Sequence, residues 1–327
     1  MRRLSLCLAV AVAALVFVPT AFADGPVFVT QGGSGVATHD GAFHYVAVPY
    51  GTLGTVLEEI HSADRAVWWW MPLTDSWGTA TIGNGAVTGQ GLSRDGRTLV
   101  LESTSGPFSS PSRFLVVDTK RRKIVRRITL AGSFSFDALS PNASKMYLIQ
   151  FTRTAMYDPS HYIVREYDLR TNRLLPGKIA DRTDDEKTMA GYAQTRTTSA
   201  NGRWVYTLYQ KPSGMPFIHA LDTVAGVAHC IDLPWSKSNG GVYNLVLSLH
   251  DHDRTLAVHY RSGRPLLSVA VGSWQVSEAR AAGFPWVWVG AGIGAVLAAL
   301  AAGAVLLLRR RRGQEVEERA RHELGLA

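Results

Sequence analysis

The 327 residues carry a formal charge of +8, with 46% hydrophobic and 18% charged residues and two cysteines. That balance excludes a disordered polymer and a small disulfide-stapled scaffold. Divided along the chain, the charge is +2 in residues 1–23, +4 in 24–283 and +2 in 309–327. A basic excess that sits so largely at the two ends gives no nucleic-acid signature.

Residues 1–23 open with Arg2 and Arg3, continue through an apolar run over 6–18 and end Ala21-Phe22-Ala23. This is the form of a secretory signal cleaved before Asp24. The run is too short for a membrane span. Cys7 precedes most of it and follows the bulky Leu6, which does not fit a lipid-attachment site. Removal of the signal leaves Cys230 as the one cysteine, so no intrachain disulfide is expected, and an exported body of this length does not need one. Arginine outnumbers lysine 27 to 7, a bias of GC-rich bacterial genomes.

The body, 24–280, is organised by a recurring polar turn followed by an alternating apolar run. It reads His39-Asp40-Gly41, then Arg94-Asp95-Gly96, Pro141-Asn142-Ala143, Ala200-Asn201-Gly202 and Asp251-His252-Asp253. Asp, Asn and Gly suit tight turns because they tolerate positive φ or bond their own backbone. Steps of about 47–59 residues mark repeated supersecondary units of the size of a propeller blade. Each unit offers four strands: in the second, over 89–92, 98–102, 113–118 and 124–130. No helix-period run appears between 24 and 272. The expected fold is therefore all-β: a β-propeller of five four-stranded blades, or six if an N-terminal strand over 27–30 pairs with the last blade.

In the first unit, Trp68-Trp69-Trp70 falls on the outermost strand. Alternation puts Trp68 and Trp70 on one face and Trp69 on the other, and Trp77 follows in the next loop. These indoles either fill the space between two blades or form an exposed patch. As a patch, Trp68, Trp70 and Trp77 are the candidate partner-binding residues, for a cell-envelope protein or glycan. Arg122, Lys123, Arg126 and Arg127 form a basic cluster with no interleaved aromatics, which reads as a solvated hairpin tip.

The units over 92–130 and 139–179 resemble the repeats of bacterial YVTN-type and lactonase-like propellers, which are also similar to the quinoprotein amine dehydrogenase propeller. The features that carry this are Ser93-Arg94-Asp95-Gly96 before Leu99, and the later Val117-Asp118-Thr119. Leu221-Asp222-Thr223 and Tyr167-Asp168-Leu169 echo the second feature. The resemblance implies the propeller fold over about 27–277 and transfers no catalytic residue.

His250, His252 and His259, with Asp251 and Asp253, are the densest group of metal-ligand types, but a metal needs three or four converging on one point. Alternation places His250 and His252 on one side and His259 a strand away, so a polar hairpin is expected and no metal. His39 and His44 read the same way. The familiar nucleophile, zinc and phosphate-loop motifs are missing, so no catalytic residue or cofactor is expected. Acidic residues such as Glu102, Asp137 and Asp158 gathering at a central channel would instead favour a surface hydrolase of lactonase type.

Residues 281–308 hold no charge and are followed by Arg309 to Arg312. This predicts one transmembrane helix with the 309–327 tail cytoplasmic and the body outside, with Trp286 and Trp288 at the outer boundary. Gly290 and Gly294 form a Gly-x-x-x-Gly that lets two spans approach, which suits a homodimer and a sensor working through it. The expectation is a membrane-anchored binding or scaffolding module at the cell surface.

Overall fold

Four of the five repeated turns are built from the same hydrogen bonds. A hydroxyl donates to the carboxylate or amide oxygen two residues on: Thr38 to Asp40 at 2.6 Å, Ser93 to Asp95 at 2.6 Å, Ser140 to Asn142 at 3.0 Å and Ser199 to Asn201 at 2.8 Å. The same oxygen then accepts the backbone N–H of Ala42, Arg97, Ser144 and Arg203 at 2.9–3.1 Å. The hydroxyl in turn accepts the N–H that opens the next strand, at Phe43, Thr98, Lys145 and Trp204. Side chains thus satisfy the backbone at each reversal, which is why Ser/Thr-x-Asp/Asn recurs.

The residue after the Asx position is left-handed in all four: Gly41 (φ 70°), Gly96 (68°), Gly202 (75°) and Ala143 (50°). A Cβ there costs roughly 1–2 kcal/mol. Ala143→Gly is therefore expected to stabilise the protein by about 0.5–1 kcal/mol, after allowing for glycine's freer unfolded state. The denaturation midpoint measures this. The fifth turn departs, with Asp251, His252 and Asp253 all left-handed (φ 53°, 57° and 65°).

The Asp-Thr ending of the third strands serves the same turns. Asp118 Oδ1 accepts the Arg121 N–H at 2.9 Å, and Asp222 Oδ1 accepts those of Val224 and Ala225 at 2.9 Å. Thr119 donates to the Gly96 carbonyl at 2.6 Å and Thr223 to the Arg203 carbonyl at 2.8 Å. The motif therefore ties the outer hairpin to the inner turn of the same unit.

A computed structural model describes residues 28–52, 54–82, 88–105, 110–152, 161–182 and 189–279. After β1 (Phe28–Thr30), the first sheet comprises β2 (Val36–Ala37), β3 (Phe43–Tyr50), β4 (Gly54–His61) and β5 (Val67–Thr74). The second holds β6 (Trp77–Ile82), β7 (Thr88–Gln90), β8 (Thr98–Ser103), β9 (Ser112–Asp118) and β10 (Lys123–Leu130). The third runs β11 (Phe134–Leu139), β12 (Lys145–Phe151), β13 (His161–Asp168) and β14 (Arg173–Leu174), with β15 (Met189–Ala190) also on β13. The fourth is β16 (Tyr192–Thr198), β17 (Trp204–Gln210), β18 (Pro216–Asp222) and β19 (Val227–Asp232). The fifth is β20 (Leu245–His250), β21 (Thr255–Tyr260), β22 (Pro265–Ala270) and β23 (Val276–Glu278).

The first, fourth and fifth sheets are antiparallel meanders in chain order, as propeller blades are; in the second β8 pairs with β6 while β7 lies on β6 off the main path, and in the third β15 joins β13 off the path. Among the described residues the strands make the protein all-β, as expected. The N-terminal strand is a correction. β1 pairs with β6 of the second sheet, Phe28 opposite Thr81 and Thr30 opposite Thr79, and not with the last blade. β6 was itself unforeseen, since Trp77 opens a strand and not a loop; short and rich in small residues, it shows no alternation. The fourth strand of the third sheet is short, Arg173–Leu174, with one further bridge from Val164 to Ile179.

Three apolar clusters hold the sheets together. One joins sheets one and two around Leu57, Trp69, Leu99 and Val117. A second spans sheets two to four around Phe114, Phe136, Tyr147 and Tyr209. The third joins sheets four and five around Leu208, Leu247 and Val258. Inner strands such as β8 and β18 are buried almost throughout, because both their faces meet a neighbour. β20 and β21 alternate instead, with Leu247, Leu256 and Val258 inward. Among the described residues, no helix is long and apolar enough to cross a membrane. The expected signal, span and tail lie outside them.

Candidate functional site

The region where the inner strands meet is occupied by β6. All six of its residues are buried, and it touches β3, β4, β11 and β16 as well as its own sheet. Around it lies a polar interior. Glu102 on β8 accepts from the Ser135 hydroxyl at 3.1 Å and from the Phe136 N–H at 2.9 Å, both on β11. Burial pushes the Glu102 carboxyl up to about 8, against the pull of those two donors. Asp137 is the extra residue of a bulge between Phe136 and Ala138. The bulge aims it at Arg196 of β16, with which it forms an ion pair buried at both ends. Arg196 also donates to the Asp137 carbonyl, and to Thr207 Oγ1 at 2.8 Å.

Two of the three acidic residues singled out in the sequence, Glu102 on the second sheet and Asp137 on the third, are therefore buried, each bonded to the next sheet. Asp158 lies outside the described residues. A carboxyl with raised pKa in a cleft is the mark of a general acid. Glu102 has no cleft, however, being 2% exposed with its oxygens bonded to the next sheet. Asp137 is likewise tied. These buried polar groups fasten neighbouring sheets together.

The tryptophans separate into two groups. Trp77 is 3% exposed, its indole N–H donating to the Thr74 carbonyl and its ring under the Arg113 guanidinium. It belongs to the core and not to a surface patch. Trp68 and Trp70 are 57% and 62% exposed on β5, the outer edge strand of its sheet, while Trp69 between them is buried. A bulge breaks the expected alternation. Glu59 pairs with Trp69 but Ile60 pairs with Val67, which leaves Trp68 as the extra residue. Trp68 consequently rests edge-on against Phe43, with ring centroids 5.2 Å apart, beside His61. Trp70 stays on the opposite face, across from Glu58.

The basic hairpin lies beside this edge. Lys120, Arg121, Arg122 and Lys123 are all exposed, and the Arg122 guanidinium sits 5.6 Å above the Trp69 ring. The sequence shows no aromatics within the basic cluster; the fold supplies them from the neighbouring sheet. Arg122 and Trp69 thus join the second sheet's hairpin to the first sheet's outer strand.

The histidines also differ from expectation. His259 is not remote from His250, because β20 and β21 are paired. The Ser248 hydroxyl lies between them, 3.0 Å from each Nε2. His252 sits apart in the left-handed turn, and no described group of three His, Cys, Asp or Glu side chains is placed to hold a metal. Cys230 stands opposite the buried His219, Sγ 3.9 Å from Nδ1, and burial pushes that imidazole down to about 4, so it stays neutral.

No protein-family model and no curated protein matches the chain. Among solved structures it is similar to hydrazine synthase of Kuenenia stuttgartiensis at 15% identity and a TM-score of 0.45, over 72% of this chain and 63% of that one. It is similar to the Cps50 (Swd1) β-propeller domain of Myceliophteria thermophila at 11% identity and 0.43, over 80% and 72%. TolB from Acinetobacter baumannii follows at 12% and 0.42, over 78% and 56%. The chain thus spans under two thirds of hydrazine synthase and of TolB. Likeness this distant says nothing of activity.

Proposed function

We propose that the chain is an exported β-propeller, anchored by its own span, that works as a binding or scaffolding module at the cell surface. The observation that carries this is the pair of half-exposed indoles at Trp68 and Trp70 on an open edge strand. Such rings are costly to leave in water and are favoured anchors of recognition surfaces. With Arg122 of the exposed basic hairpin held over Trp69 of the same strand, the edge suits an anionic glycan or acidic protein of the envelope. A hydrolase at the axis gains nothing from Glu102 and Asp137, whose oxygens are engaged in the fold. Gly290 and Gly294 offer a route to a homodimer, and so to a sensor, through the span.

The test is retention of the full-length chain on isolated cell envelopes. Trp68→Ala with Trp70→Ala is expected to reduce retention at least about tenfold, as loss of a buried aromatic anchor does. The melting midpoint should change little, because both rings are largely exposed. Undiminished retention sinks the reading.

A further inference from the structure

The geometry points to a second binding site, independent of the tryptophan edge: the cavity where the repeated turns meet takes a small ligand bearing a carboxylate or phosphate, anchored by Arg94. The cavity measures about 230 Å³ and is lined from four of the five sheets. Its apolar part is formed by Phe136, Ala138 and Val205, and its rim carries His39 and Arg94. That is the usual composition of a small-molecule site, slightly below the common range of about 300–1,000 Å³.

Its electrostatics are one-sided. Arg94 is the one charged side chain among the lining residues. The neighbouring carboxylates are engaged, Asp40 and Asp95 within their own turns and Asp253 on the Ala200 N–H at 2.6 Å. Among the described residues, the polar partner of Arg94 is His39, its Nη1 donating to Nδ1 at 3.5 Å. An arginine has no lone pair to offer, so the imidazole nitrogen can only be the acceptor in this contact, and the guanidinium keeps its other donors for a ligand. The hydroxyls of Ser93, Ser140 and Ser199 cannot replace these, since each donates within its own turn. A guanidinium fork at the mouth of a half-enclosed, partly apolar cavity selects a planar or tetrahedral oxyanion attached to a compact body.

The test is isothermal titration of the full-length chain with inorganic phosphate, gluconate and, as the uncharged control, glucose. One or both anions should bind saturably at one site per chain, and glucose should not. Arg94→Gln should weaken the anion at least about tenfold, as loss of a charge-assisted pair does. Arg94→Lys, which keeps the charge and loses the fork, should fall between, and it decides the matter if the glutamine variant fails to fold. Arg170→Gln, on the outer hairpin of the third sheet, should bind as the wild type does. Absence of saturable binding by either anion overturns the assignment, as does affinity indifferent to Arg94, or glucose binding equally well.

Discussion

Arg196→Met is expected to cost about 3–5 kcal/mol of folding stability, among the largest effects available to a single substitution here. The side chains of Arg196 and Asp137 are each 2% exposed, and the guanidinium also serves the Asp137 carbonyl and Thr207. Removing it strands a carboxylate in the interior with neither water nor cation. A hydrophobic replacement of both partners is a different matter, because the cost of desolvating the pair disappears with them. Asp137→Leu combined with Arg196→Met should therefore recover much of what the single variant loses, a strong departure from additivity. Guanidinium-induced unfolding of the wild type, both singles and the double variant measures it. A single-variant loss under about 1 kcal/mol, the range of exposed ion pairs, contradicts the buried geometry.

The periodic parts of this structure were legible in the sequence because their cause is local. A turn that needs Ser or Thr, then Asp or Asn, then a residue tolerant of positive φ writes itself into five or six consecutive positions. The strands that follow inherit its register. Asp118-Thr119 and Asp222-Thr223 were readable as repeats for the same reason, although their purpose, bonding back to Gly96 and Arg203, shows only in three dimensions.

What was not legible depends on single-residue irregularities or on pairing between units. One bulge turns Trp68 away from the face that alternation assigns it, and another aims Asp137 at Arg196. Neither bulge has a glycine or proline to announce it. β1 carries nothing in three residues to say which edge it will join, and it joins β6. The border of Trp69 with Arg122 unites two features about fifty residues apart, so each looked isolated in the sequence. His250 and His259 were misjudged because distance along a hairpin was read as distance in space. Ser248 between them corrects that.

Glu102 provides a second prediction of large size, and its sign depends on the direction of its shift. Its carboxyl titrates at about 8 in the folded chain, against an ordinary value of 4.5, because burial outweighs the help of Ser135 and the Phe136 N–H. Below the ordinary value, folded and unfolded chains are both protonated there and the group is neutral in its effect. Between 4.5 and 8 the unfolded chain has released the proton and the folded chain has not, so stability falls as pH rises. Above 8 both are ionised, and the cost of a buried carboxylate is fully felt, of the order of 5 kcal/mol at about 1.4 kcal/mol per pH unit. Glu102→Gln is similar in shape, keeps an acceptor for Ser135 and Phe136, and has no proton to lose. Its stability relative to the wild type should therefore climb from near parity at about pH 5 to an advantage of a few kcal/mol at about pH 9. Taking the difference between the two proteins at each pH cancels every other titrating group they share. Denaturation midpoints that run parallel across that range place the Glu102 carboxylate in contact with water, and with it an axis open enough for chemistry.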